Sequence, residues 1–251
     1  MCGIVGIVGT DEVAPLLVES VTRLECPDYD SCGLAIYNGT GIEVRKDVGA
    51  FEDVAKRWDM ISIQGQLGIA HTRKATHGDV SQENAHPHLS CDRSFAVVHN
   101  GIVSNYGDLK AQLQKQGNHF FFSHTDSEVI VHLMEEAYQS CSVDDAFLKV
   151  LRRLEGTFAV AMISTGEPQK IFCASQESPL ILAINSATKF VSSNLEVFLP
   201  YTSRAVPLDD GEYAVISAND YSIRAISSAE QRYKEVVDID RSVGRERTST
   251  T

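Results

Sequence analysis

Beyond residue 155 the chain breaks into short strand-prone runs: Thr157–Ser164, Lys170–Ala174, Leu180–Ile184, Lys189–Ser192, Gly211–Ser217 and Ser222–Ile226. Short turns separate most of them and leave no room for the crossover helices that parallel neighbours require, so antiparallel sheets are expected. Upstream, Cys2–Gly9 is apolar and bounded by turn formers, as a buried strand is. Gly33–Tyr37 and Ile42–Lys46 read as strands joined across Asn38-Gly39, a hairpin signal, and Leu67–His71 and Phe95–His99 are also strand-like. Helical spacing of apolar residues predicts helices over Asp11–Leu24, Asn105–Lys115, Thr125–Tyr138 and Val143–Leu154. Asp11 and Glu12 suit the positive end of the first, and Thr125 with Glu128 forms a capping-box pattern at the third. The sum is a single α+β domain over 1–240, two stacked sheets with helices on both outer faces, followed by a polar tail, 241–251, expected to fray.

Composition excludes several classes. The 251 residues carry a net charge of −12 and are 43% hydrophobic, which rules out a disordered chain and supports a full core. Excess acid argues against nucleic acid and anionic membranes as partners, since both need a basic face. No apolar run is long enough to span a bilayer, and the first residues lack a leader pattern, so the cytoplasm is the expected compartment. Six scattered cysteines form neither a disulfide framework nor a zinc ribbon. Five of them are expected to be packing residues.

Cys2 is the sixth. Removal of Met1 would place its thiol beside a free α-amine, whose reference pKa of about 7.7–8.0 suits a general base acting on its own side chain. The alternative at that position is a small core residue at a strand start. Further chemistry-bearing residues cluster in His71-Thr-Arg-Lys-Ala-Thr-His-Gly78, Asn84-Ala-His-Pro-His88, Val97-Val-His-Asn-Gly-Ile-Val-Ser-Asn-Tyr106 and Ser123-His-Thr-Asp-Ser-Glu-Val-Ile130. Each has a bland reading. Asn100-Gly101 is by itself a good hairpin turn, and Asp126 an acid at a helix start. His86 and His88 flank a proline without an accompanying thiolate or acidic ligand spacing, which is weak ground for a metal.

Together these segments, with Met1–Gly9, Tyr29–Ala35, Glu177–Ala183 and Ser192–Pro200, resemble the glutaminase domain of the class II glutamine amidotransferases, which are N-terminal-nucleophile hydrolases. The resemblance implies a four-layer αββα sandwich of two mostly antiparallel sheets. It implies that Cys2 attacks the side-chain amide of L-glutamine and forms a thioester, with Asn100 and the Gly101 N–H as oxyanion donors. Arg73 would grip the substrate α-carboxylate, Asp126 the α-ammonium, and Thr76 and His77 would line the pocket. No cofactor and no metal are implied. The ammonia would aminate a sugar phosphate, fructose 6-phosphate by resemblance, on a synthase domain or subunit outside this chain; a homo-oligomer is left open.

Two departures accompany the resemblance. Pro27-Asp28 replaces an Arg-Gly pair, and Lys74 stands where the family carries a tryptophan. They motivate a second reading of a different class, a catalytically weak glutamine-binding or regulatory module of a larger amidotransferase assembly. A third reading, an amidohydrolase for another amide, sits poorly with Arg73 and Asp126, which fit an amino-acid head group.

Overall fold

A computed structural model describes residues 2–24, 29–75, 78–117 and 119–240. In chain order, β1 (Gly3–Gly9) leads to α1 (Ala14–Thr22), β2 (Ser31–Tyr37), β3 (Ile42–Val48), α2 (Phe51–Arg57) and β4 (Leu67–Arg73). Next come β5 (His88–Leu89), β6 (Phe95–Val103), α3 (Tyr106–Lys115), α4 (Glu128–Tyr138) and α5 (Val143–Leu151). Strands β7 (Gly156–Ser164), β8 (Ile171–Gln176), β9 (Ile181–Ile184), β10 (Thr188–Ser192) and β11 (Arg204–Pro207) follow. The last are β12 (Glu212–Ile216), β13 (Tyr221–Ala225), β14 (Gln231–Arg232) and β15 (Val237–Asp238).

The strands make two antiparallel sheets. One has the order β15-β11-β9-β10-β1-β4-β2-β3, the other β14-β13-β12-β8-β7-β6-β5. Side-chain alternation along each strand sorts the apolar residues into three cores. Ile4, Val8, Leu67 and Ile69 of the first sheet meet Ala96, Val98, Ala159 and Ala161 of the second in a central core. On the outer face of the first sheet, Val5, Ile7, Leu34 and Ile36 pack against Leu17 and Val21 of α1 and Phe51 and Val54 of α2. On the outer face of the second, Phe95, Val97 and Phe172 pack against α3, α4 and α5. This is the αββα sandwich expected above. Each fully buried Leu, Ile, Val or Phe side chain contributes roughly 1.5–3 kcal/mol by leaving water.

Several local expectations are corrected. Helix α1 starts at Ala14, with Pro15 in its first turn, so Asp11 and Glu12 lie outside it; the Glu12 carboxylate instead accepts from the Gly65 N–H. Helix α4 starts at Glu128, not at Thr125. The Thr125 hydroxyl is engaged with Ser123 and His88, while Glu128 reaches back to the Phe122 and Ser123 N–H groups rather than to Thr125. Asn100-Gly101 is no turn: β6 runs through both residues and pairs with β7 from Phe95–Ser164 to Val103–Gly156. Helix α2 and the short strands β5, β11, β14 and β15 carry too little periodicity to be seen in the sequence. The Asn38-Gly39 hairpin is present, with Asn38 Oδ1 accepting from the Thr40 and Gly41 N–H groups. Pro27, Asp28, Thr76, His77 and the tail lie outside the described residues.

Candidate active site

Strand alternation explains which polar side chains meet between the sheets. Along β4, Leu67 and Ile69 face the central core, so His71 and Arg73 continue on that face at the strand end. On β1, Ile4 and Val8 face the same core and Cys2 continues their row. On β6, Ala96 and Val98 do so and Asn100 follows. Three apolar rows thus end in polar residues at one edge of the sandwich.

These ends touch. Asn100 Nδ2 donates to the Cys2 carbonyl at 3.0 Å, and its Oδ1 lies 2.8 Å from His71 Nε2. An amide oxygen only accepts, so His71 carries its proton on Nε2 and fixes which way the amide faces. Burial holds the His71 ring neutral by pushing it down to about 3, against the opposing pull of the Asn100 bond. The Cys2 thiol rests on the backbone of Lys74, accepting from its N–H at 3.2 Å and facing its carbonyl at 3.5 Å. Asp30 holds the next residue, accepting from the Ala75 N–H at 2.6 Å.

From the helical side, Asp126 Oδ2 accepts from the Val103 N–H at 2.7 Å, which seats the carboxylate at the end of β6. Ser127 donates to Asp126 Oδ1 at 3.3 Å and lies 2.8 Å from His99 Nδ1. Burial pushes His99 below its ordinary value, opposed by the charge of Asp126. Arg73 and Asp126 are both buried. Behind them, His86 stacks edge-on between His71 and His88, with ring centroids 4.4 and 4.5 Å away. Lys46, pushed down to about 8 by burial, donates to the Glu83 and Ala85 carbonyls and ties the segment before His86 to β3.

Cys2, Arg73, Asn100, Gly101 and Asp126 line one small cavity of about 30 Å³, together with the Lys74 backbone, His86, His99, Thr125 and Ser127. That is room for a water, not for an amino acid. The Lys74 side chain is exposed. Chemically, the cavity combines a thiol, an oriented amide donor, a guanidinium and a carboxylate, which suits acyl transfer on a zwitterionic substrate. His71, His99 and Ser127 were not singled out by sequence reasoning. His71 was legible in principle, since it shares the core-facing row of Leu67 and Ile69.

Residues 71–200 match the family described as the glutamine amidotransferase domain. The chain is similar to isomerizing glutamine–fructose-6-phosphate aminotransferase of Pyrococcus horikoshii, with 40% identity over 240 residues, 95% of this chain and 40% of that protein. The corresponding protein of Chlorobaculum tepidum is 38% identical over 245 residues, again 40% of its length. The chain therefore spans about two fifths of the curated relatives it matches. Among solved structures, glutamine phosphoribosylpyrophosphate amidotransferase of B. subtilis superposes with a TM-score of 0.77 at 24% identity, over 90% of this chain and 50% of that one. A glutamine aminotransferase class-II domain protein from Silicibacter pomeroyi gives 0.62 at 19% identity, over 90% of this chain and 99% of that one.

Proposed function

The chain belongs to the family of glutamine amidotransferase domains, and on that premise we propose that it hydrolyses L-glutamine to glutamate and ammonia with Cys2 as nucleophile. The observation that carries the reading is the convergence of Cys2, Arg73, Asn100, Gly101 and Asp126 on one cavity. After loss of Met1, the α-amine of Cys2 takes the thiol proton as sulfur attacks the side-chain amide carbon. The tetrahedral oxyanion is met by Asn100 Nδ2 and the Gly101 N–H, and such a donor is worth roughly 3–4 kcal/mol of barrier. The carbon–nitrogen bond breaks as the α-amine returns the proton to nitrogen, leaving a thioester and ammonia. Water then cleaves the thioester and releases glutamate. Arg73 pairs with the substrate α-carboxylate and Asp126 with its α-ammonium; Thr76 and His77, by resemblance to the family, help hold glutamine. No cofactor enters the cycle.

The ammonia is used to aminate a sugar phosphate, fructose 6-phosphate by analogy with the relatives, on a synthase domain or subunit. This step is drawn from what the relatives' names say they do, and cytoplasmic residence goes with it. Among the described residues no helix is long and apolar enough to cross a membrane.

The test treats the mature protein with a glutamine-mimicking electrophile and locates the adduct by mass spectrometry. Labelling at Cys2 with Met1 absent is expected, together with ammonia release that Cys2→Ala abolishes. Retained Met1, or an adduct only on another cysteine, rejects the mechanism. Glutamine binding without ammonia release would favour the catalytically weak module instead.

A further inference from the structure

On the helical side of the second sheet, four side chains from three separate segments bring potential ligand atoms together. Cys91 follows β5, His119 follows α3, and His132 and Glu135 lie three residues apart on α4. One ligand atom of each lies within 4.8 Å of all the others. Three of the six separations are 3.6 Å from Cys91 Sγ to His132 Nδ1, 3.4 Å from His119 Nδ1 to Glu135 Oε2, and 3.6 Å from His132 Nδ1 to Glu135 Oε2. A tetrahedron whose metal–ligand bonds are about 2.0–2.3 Å has edges of about 3.3–3.8 Å. Those three contacts have the edge length of a tetrahedral site, and the two His–Glu135 contacts are longer than the about 2.7–3.2 Å of a direct N–H···O bond.

The surroundings fit the same reading. His132 directs Nδ1 into the cluster, and Glu128 Oε1 stands 3.6 Å from its Nε2, on the side where a carboxylate orients a ligating imidazole. Phe121 stacks edge-on against the His132 ring at 4.5 Å and limits its rotation. The Phe120 N–H donates to Cys91 Sγ at 3.3 Å, and the Cys91 N–H to Glu135 Oε2 at 3.0 Å, so sulfur and carboxylate are both aimed by backbone. His132 is fully buried and the His119 side chain nearly so, yet His119 Nδ1 has no hydrogen-bond partner among the described residues. Cys91 borders a surface groove of about 530 Å³, which gives an ion a way in.

We propose that Cys91, His119, His132 and Glu135 bind one zinc ion as a closed four-ligand structural site. One thiolate, two imidazoles and one carboxylate form a borderline-soft donor set, and four protein ligands leave no open position for catalysis. The ion clamps the segments after β5 and α3 onto α4. Glu128 carries that clamp to the loop before α4, because its carboxylate also accepts from the Phe122 and Ser123 N–H groups, just ahead of Asp126.

The test uses the full chain. Metal content is measured as isolated, after chelation, and after reloading with Zn²⁺ or Co²⁺ and dialysis. One zinc per chain is expected, with thiolate-to-cobalt charge-transfer absorption in the Co²⁺ form and a Tm about 5–10 °C above that of the stripped protein. Cys91→Ser should remove the charge-transfer band, and His119→Gln, on a partly exposed segment, should lower zinc retention while circular dichroism shows the chain folded. No retained metal after reloading, with a Tm that zinc leaves unchanged, overturns the site. An unchanged cobalt spectrum in Cys91→Ser overturns the ligand assignment.

Discussion

Gly101 sits in β6 with φ of +119°, and a Cβ there would lie 2.1 Å from the Thr157 carbonyl oxygen on β7. Both backbone angle and neighbour exclude a side chain, so Gly101→Ala should destabilise the fold by about 1–3 kcal/mol and abolish ammonia release, read from a urea midpoint and a glutaminase assay. An unchanged midpoint would show that the strand yields there. His71 and His86 set a different expectation. Both rings are fully buried, and burial pushes both below their ordinary value. Neither nitrogen of His86 has a hydrogen-bond partner among the described residues. The unfolded chain therefore takes up protons first on acidification. Stability from these rings is whole above about pH 6.5 and declines as pH falls toward 3. His86→Phe should flatten the fall of the urea midpoint between pH 6.5 and 5; an unaltered slope would assign the pH dependence to other groups. Motif reading reached Cys2, Arg73, Asn100 and Asp126 because each stands in a long run of characteristic residues. It missed the role of His71, whose partner Asn100 is 29 residues away and is met only when two sheets stack.

Among elements, β6 shows how tertiary pairing overrides a strong local signal. Asn-Gly is an excellent two-residue turn in isolation, but nine ladder pairs with β7 carry the strand straight through it. The start of α4 moved for a related reason: the Thr125 hydroxyl and Glu128 carboxylate that would have capped it are committed to Ser123 and His88 and to the Phe122 and Ser123 N–H groups. Helix α5 behaves as its sequence dictates. Ser142 accepts from the Asp145 N–H, Asp144 and Asp145 fill the first turn, Lys149 the last, and Val143, Ala146, Phe147, Val150 and Leu151 form the buried face. Ser142→Ala should cost about 1 kcal/mol by chemical denaturation while leaving ammonia release intact, since the cap is remote from Cys2 in the fold. The Cys91–His119–His132–Glu135 cluster marks the limit of sequence reading. Only His132 and Glu135 are neighbours on one helix, and Cys91 is 41 residues from His132. Cys91, expected to be a packing residue, is half-exposed at that cluster.

Across the whole molecule the chain passes between the two sheets four times, with β1–β4, β9–β11 and β15 in one and β5–β8 and β12–β14 in the other. Neither sheet can complete its half of the central core alone. Unfolding should thus be a single transition, with the fluorescence of Trp58, beside α2 on the first sheet, and far-UV circular dichroism giving the same midpoint in urea. Separate midpoints would mean that the layers melt independently. The overall architecture was legible because antiparallel runs and amphipathic helices are local patterns. The strand order was not, because it depends on which distant partners meet. The place of β1 between β4 and β10 has a consequence for biosynthesis. The segment bearing Cys2 is made well before one of its neighbours, residues 188–192. At about 5–20 residues per second, translation takes about 10–40 s to pass from β1 to that strand. Over that interval a nascent chain carries the thiol on a strand that cannot yet be enclosed on both sides, so Cys2 waits for a partner made long after it.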